Sequence, residues 1–398
     1  MSKEKKKRKK EYKGMGSWYP LFWALIGPFF CRRFGARFKR HQLPEGGNLI
    51  LANHVTNCDQ FLLAVYYSRQ LIHFVAGENA FRNHFLRWLV EHKGGVIIHM
   101  RGVSSFNTIK QMTQSIKAGE NVCIFPEGTT TFSGRTARVD DTITKVAKTS
   151  GGNLILCKIE GGYFSRPRWG NNIRKGRADI TEYVISKEEI AGKSVAELTD
   201  LINEKLYTDA YVEQKENPVK FIGKHRARGL ESCLYECPSC KKRGTLHSTD
   251  TGIYCDCGFK AEMDEYGLLT DSEGRDYPIS DLCENQKENL RNYIAEVRVK
   301  PEGTLLFEDE MKCKRLDFKG REKLLGKINI KAFTDRIECV INEKERIIPY
   351  SDVKSMHIYL RNTMNVRLDG DEFCYELVGD FPTNALKYRD LLEIVRGR

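Results

Sequence analysis

A histidine and an aspartate stand five residues apart in Asn53-His54-Val55-Thr56-Asn57-Cys58-Asp59, directly after the apolar run Asn48–Ala52. An imidazole can serve as a general base near neutral pH. A carboxylate beside it can hold the ring tautomer and stabilise the imidazolium that forms. On one continuous helix, residues five apart lie about 140° apart around the axis and cannot bond. The pair therefore works only if His54 sits in a turn and Asp59 at or near a helix start. No serine or cysteine is tied to the pair by an elbow motif, so the chemistry implied is deprotonation of an alcohol brought in by a substrate. The bland alternative is a loop histidine with Asp59 as an N-cap.

Two further apolar runs end in polar residues. Asn121–Phe125 runs into Pro126-Glu127-Gly128-Thr129-Thr130, and Gly95–His99 is followed by Met100 and Arg101. Strand ends converging at one sheet edge form a pocket in layered α/β domains. His54, Asp59, Arg101 and Glu127 would line it. Arg101 with Glu127 would equally suit a structural ion pair at the sheet edge.

These residues resemble the motifs of the glycerolipid acyltransferase family, the 1-acylglycerol-3-phosphate acyltransferases and their relatives. NHVTNCD fits the first motif, NHxxxxD. GGVIIHMR approximates the second, and FPEGT from Phe125 to Thr129 matches the third, in the family's order and separations. The resemblance covers about residues 18–213. It implies acyl transfer from an acyl thioester, on acyl carrier protein or coenzyme A, to the free hydroxyl of a lysophospholipid such as 1-acylglycerol-3-phosphate. His54 and Asp59 would be catalytic. Asn53, Arg101, Glu127, Gly128 and Thr129 would bind substrate, with Arg101 on the acceptor phosphate and backbone N–H groups near the strand ends receiving the oxyanion. Two departures stand out. The arginine that usually follows FPEGT is Thr130, for which Arg135 is the nearest stand-in. The fourth motif's proline is missing from the run Asn153–Gly162.

A second chemistry-bearing group is Cys237-Pro238-Ser239-Cys240 followed by Cys255-Asp256-Cys257. Two paired knuckles at this separation resemble a zinc ribbon, in which four thiolates around a structural zinc stand in for a core too small to form. The second pair is tighter than usual, which leaves Cys233 and His247 as alternative ligands. Free or redox-active thiols are the other reading.

The elements that must position these groups follow from periodicity. Asn48–Ala52, Leu71–Ala76, Gly95–His99, Asn121–Phe125 and Asn153–Ile159 are expected as buried strands. Asp59–Arg69, Phe81–Glu91, Ser104–Lys117 and Asp140–Thr149 are expected as helices between them, and Ser194–Glu213 as one closing amphipathic helix. Such alternation predicts an α/β layered domain with a largely parallel or mixed sheet. Lys215–Arg228 looks like a linker. Beyond Gly303 the pattern predicts seven strands within Leu305–Val378 and a last helix over Asn384–Arg396, a β-rich domain resembling the pleckstrin-homology fold. The expected organisation is a membrane-associating segment at 1–40, an acyltransferase domain at 41–225, a zinc-ribbon-like segment at 229–270 and the β-rich accessory domain at 295–398.

Charge places the first of these. The chain of 398 residues has a net charge of +12, and residues 1–40 hold thirteen Lys and Arg against two Glu, a net +11 that leaves +1 for the rest. A protein that grips nucleic acid across a folded face spreads its charge over that face; here no nucleic-acid partner is expected. The aromatic stretch Trp18–Cys31 is too short to span a bilayer and is followed by Arg32 and Arg33 rather than a cleavage site. Residues 1–40 are therefore read as an interfacial anchor on an anionic membrane surface. That makes a peripheral or monotopic protein on the cytoplasmic face, with acyl carrier protein as a potential partner. Two rival readings fit the same chain: an adaptor for nucleic acid or protein built on the zinc ribbon and basic tail, and a hydrolase of the same lipids.

Overall fold

The computed structural model describes residues 21–397 apart from 22, 37–38, 69, 78–94, 100–104, 298–302, 318–320 and 342–343. It divides into two units, residues 1–167 with 173–223, and residues 168–172 with 224–398.

In the first unit the described strands are β1 (Asn48–Ala52), β2 (Ile72–Gly77), β3 (Ile97–His99), β4 (Asn121–Ile124), β5 (Asn153–Glu160) and β6 (Asp179–Ile185). They form one sheet in the order β3-β2-β4-β1-β5-β6. All neighbours run parallel except the β5–β6 pair. The fold class is thus α/β with a mixed sheet. β1 is buried along its whole length, as a strand covered on both faces must be. Leu49 and Leu51 pack with Met112, Ile116, Ile143, Val146, Leu198 and Ile202 from three helices, Phe106–Lys117, Asp141–Ser150 and Val195–Leu206. Fully burying such a side chain contributes about 1.5–3 kcal/mol. Helix Asp59–Tyr66 instead packs through Ala64 and Val65 on Trp23, in a helical stretch over residues 23–34. Gly27 makes that approach close, since a Cβ there would lie 3.2 Å from Val65 Cγ1.

Most expected elements are present with ends shifted by a residue or two. The expected helix Phe81–Glu91 lies outside the described residues. Ser194–Glu213 is not one helix. It breaks after Leu206, where Tyr207 is extended, and restarts at Ala210–Glu216 with the Asp209 carboxylate accepting from the N–H groups of Tyr211 and Val212. Ser194 and Glu197 form the expected capping box. β6 is a strand that periodicity does not mark, since DITEYVI carries no clear alternation and is only partly buried along most of its length. The stretch read as a linker includes Phe221, which is buried with its ring 5.3 Å from that of Phe164.

The second unit holds a four-stranded antiparallel sheet of β7 (Leu246–Ser248), β8 (Gly252–Cys255), β9 (Lys260–Met263) and β10 (Leu269–Asp271), followed by a helix over Ile279–Val297 that the sequence pattern left unread. β11 (Leu305–Leu316), β12 (Glu322–Phe333), β13 (Arg336–Ile341), β14 (Lys344–Pro349), β15 (Val353–Ile358), β16 (Thr363–Leu368) and β17 (Cys374–Gly379) form a curled antiparallel half-barrel in the order β14-β13-β12-β11-β17-β16-β15. Its apolar interior includes Ile328, Ile330, Met356, Met364 and Val366, and Tyr388 of the last helix, Leu386–Val395, also lines it.

Candidate active site

Because β1, β3, β4 and β5 run parallel, their C-terminal ends share one edge of the sheet. His54 follows β1, and helix Asp59–Tyr66 begins five residues later. The chain turns between them, as the pair requires. His54 Nδ1 and Asp59 Oδ2 lie 2.8 Å apart, with Asp59 fully buried and the imidazole half-buried.

The carboxylate of Asp59 is held from several sides. Oδ2 also accepts from the N–H groups of Val55 at 2.7 Å and Thr56 at 2.9 Å, and Oδ1 accepts from the Thr56 hydroxyl at 2.9 Å. A buried acceptor with this many donors has one orientation, so the ring it bonds has one as well. The other face of His54 stacks on Phe125, with ring centroids 4.2 Å apart. With Nδ1 directed at Asp59, Nε2 is the nitrogen left for proton transfer.

Glu127 ties the two motifs together. Its Oε1 accepts from the His54 N–H at 2.7 Å and its Oε2 from the Ala137 N–H at 2.9 Å. The Thr131 N–H donates to the His54 carbonyl at 2.9 Å, a second bond between the same loops. Burial pushes the Glu127 carboxyl up to about 7, against the pull of the two N–H bonds. Glu127, expected to line the pocket, thus spends one carboxylate oxygen on the His54 backbone and the other on that of Ala137. Gly128 adopts φ +68° as the chain turns, a conformation that favours glycine, and its N–H bonds the Phe125 carbonyl at 3.0 Å. Thr129 is partly buried in the same turn.

Asn53 lies beneath this layer. Its amide donates to the Ile159 carbonyl and accepts from the Ile159 N–H, at 2.9 and 2.7 Å, pinning the end of β1 to that of β5. Arg101 lies outside the described residues. Arg135 is not a free substitute for the arginine missing at Thr130, because its Nε and a terminal nitrogen both lie 2.8 Å from the buried Asp209 carboxylate. The N–H groups of Val55, Thr56, Gly128 and Thr131 are committed inside the protein, so these four are not spare oxyanion donors. Thr56 and Phe125, which sequence reasoning left without roles, occupy positions inside the two recognised motifs, and that location was the available signal.

In the second unit the thiols of Cys237, Cys240, Cys255 and Cys257 all lie within 4.8 Å of one another. The pairs Cys237–Cys257 and Cys240–Cys255 are each 3.8 Å apart. Thiolates at about 2.3 Å from a tetrahedral zinc are roughly 3.8 Å from each other, so the donor set fits that ion. The alternative ligands are engaged elsewhere: Cys233 meets Cys283 at 3.3 Å, and His247 pairs with Asp256 at 3.3 Å.

An acyltransferase family model matches residues 36–159 of this chain. Among solved structures, similarity extends to the 1-acyl-sn-glycerophosphate (LPA) acyltransferase PlsC from Thermotoga maritima, at 17% identity and a TM-score of 0.39, covering 55% of this chain and 84% of that one. The inner membrane complex sub-compartment protein 3 of Toxoplasma gondii matches at 18% identity and a TM-score of 0.19, covering 28% of this chain and 83% of that one. A structure of the Vav1 exchange factor with its PH and C1 domains matches at 10% identity and a TM-score of 0.17, covering 30% and 36%.

Proposed function

We propose, from the acyltransferase family model that matches residues 36–159, that the protein moves an acyl chain from an acyl thioester to the free hydroxyl of a lysophospholipid, 1-acylglycerol-3-phosphate in the first instance, at a membrane surface. The observation that carries this reading is the 2.8 Å contact between His54 Nδ1 and Asp59 Oδ2, with Nε2 left for the acceptor. His54 Nε2 takes the proton as the hydroxyl oxygen attacks the thioester carbonyl. Asp59 keeps the proton on Nδ1 and stabilises the imidazolium. As the carbon–sulfur bond breaks, the imidazolium returns its proton to the departing thiolate. No step requires a nucleophile from the protein itself.

Three further assignments belong to the same proposal. Acyl carrier protein and coenzyme A both satisfy the donor chemistry. The four thiolates would hold a structural zinc, saturating it and leaving no position for a substrate. The half-barrel would serve as a pleckstrin-homology-like accessory module. The membrane reading is supported by Leu21, Leu25 and Phe29, four residues apart along one helix face and each more than 60% exposed. Among the described residues no helix is long and apolar enough to cross a membrane. Leu25→Glu with Phe29→Glu should lower retention on anionic vesicles in a flotation assay, and unchanged retention would remove this helix from the membrane contact.

The deciding assay supplies purified protein with acyl thioesters and a panel of lysolipids. Transfer by the wild type and its collapse in His54→Ala are expected. Equal turnover by both proteins with every acceptor would refute the reading.

A further inference from the structure

The acceptor's negative charge has no assigned partner among the described residues, since Thr130 replaces one arginine and Asp209 holds Arg135. Two basic side chains near the end of β5 are matched by carboxylates, Lys158 by Glu160 and Arg177 by Asp179. Arg166 differs. Its guanidinium donates to the thiol of Cys58 at 3.0 Å, and among the described residues no carboxylate pairs with it.

Arg166 is also in a telling place. β5 lies beside β1, and the chain leaving β5 makes a short turn, Gly162–Ser165, that ends at Arg166. That turn presses on the catalytic loop. A Cβ at Gly162 would lie 2.8 Å from Val55 Cγ2 and 3.6 Å from Thr56 Cγ2. Cys58, the residue Arg166 touches, immediately precedes Asp59. The Arg166 N–H bonds the carbonyls of Gly162 and Tyr163, so its backbone is fixed. Burial raises the Cys58 thiol above its ordinary range although Arg166 pulls it down, so the thiol stays neutral and cannot cancel the guanidinium.

An apolar surface lies next to this charge. Phe61 follows Cys58 by three residues at the start of the same helix, is 37% exposed, and stacks on Phe30 with centroids 5.1 Å apart. A partly buried guanidinium with no counter-ion among the described residues, near the exposed Phe61 on its partly buried partner Phe30 and near the histidine–aspartate couple, matches an amphiphile with an anionic head, a hydrocarbon tail and a reactive hydroxyl.

We infer that Arg166 binds the phosphomonoester of the acyl acceptor, a role for which position 130 offers no arginine; the inference rests on the acyltransferase reading above. Bidentate hydrogen bonding to phosphate is what a guanidinium does best. Specificity for a phosphate-bearing acceptor over a neutral one would then come from Arg166.

The test measures equilibrium binding to the full chain in a His54→Ala background, which removes turnover. The ligands are 1-acylglycerol-3-phosphate, the matching neutral 1-acylglycerol, and coenzyme A, which carries phosphates from the donor side. Arg166→Gln should weaken the phosphate acceptor about 10- to 100-fold and leave the other two unchanged. Arg166→Lys should recover part of the loss. Unchanged binding of the phosphate acceptor, equal weakening of both acceptors, or an effect confined to coenzyme A would each overturn the assignment. Turnover separates the two readings. A wild type that binds phosphate through Arg166 yet acylates no lysolipid refutes the transferase and keeps the anion site. A wild type that acylates but is indifferent to Arg166 does the reverse.

Discussion

The histidine–aspartate site and the cysteine cluster are both held by side chains at short spacing, but they owe their geometry to different sources. The cluster is local: four thiols within 21 residues, on a sheet of strands three or four residues long. Strands this short make few ladder hydrogen bonds, so a bound ion would supply much of the local stability. The histidine–aspartate couple is the opposite case. Asp59 is fixed by neighbours in sequence, yet His54 is placed by Glu127, Phe125 and Thr131, about seventy residues away, across the junction of β1 and β4. Local chemistry can be lost by unfolding; long-range chemistry can be lost while the fold stands.

The largest effect that would separate the two regions is metal removal. Structural zinc in small domains is worth roughly 10–16 kcal/mol of apparent folding free energy. A strong chelator, or Cys240→Ser, should therefore release one zinc per chain and open the segment around 233–271 to protease. Acyl transfer should suffer far less. A segment equally resistant with and without chelator would remove the metal from this account.

Next is His54→Ala. Losing a general base costs about 10²–10⁴-fold in kcat, while the melting temperature should move little because the ring packs mainly on Phe125. Asp59→Asn should lower both activity and melting temperature, since an amide nitrogen would face the N–H and hydroxyl donors that now converge on the carboxylate. If Asp59→Asn behaves like His54→Ala in a thermal melt, Asp59 is not the anchor described here.

Glu127→Gln is smaller. One of two backbone N–H groups, that of His54 or of Ala137, would lose its acceptor, at a cost of about 1–3 kcal/mol. Denaturant unfolding should show that loss along with a moderate fall in kcat. A neutral result would mean the two loops need no tie.

The smallest effect is in pH. The Glu127 carboxyl is raised to about 7 in the folded chain against an ordinary 4.5. The folded state therefore keeps a proton that the unfolded state has released, and stability falls as pH rises from about 4.5 to about 7. Glu213, pushed to about 7 chiefly by burial, acts in the same direction. Glu127→Gln should flatten the stability–pH curve of the first unit without abolishing its slope. An identical slope would contradict the raised value.

Much of this was legible in the chain. The run NLILA became β1 with the expected bounds, and NHVTNCD carried its own geometry because a turn followed by a helix start is encoded by neighbours. The four metal-spaced cysteines were legible for the same reason. What resisted reading depended on distant partners. The first helix ends at Leu206 and Asp209 caps the next, splitting a stretch whose periodicity suggested a single element. Glu127 looked like a pocket residue and is a backbone clamp. Arg166 lay in no motif, and only the packing of the β5 turn against Val55 brought it to Cys58.

By itself, then, the sequence determined the family motifs, the alternation that makes an α/β sheet and the basic, aromatic start of the chain. All of these are carried by residue type and short spacing. The tertiary structure decided which charges are neutralised and which remain available to a ligand. Arg135 and Arg166 are indistinguishable as letters. One lies against the buried carboxylate of Asp209 and the other against the neutral thiol of Cys58. That difference comes from chain segments meeting across the sheet, where burial and Coulomb pairing are fixed by packing rather than by spacing.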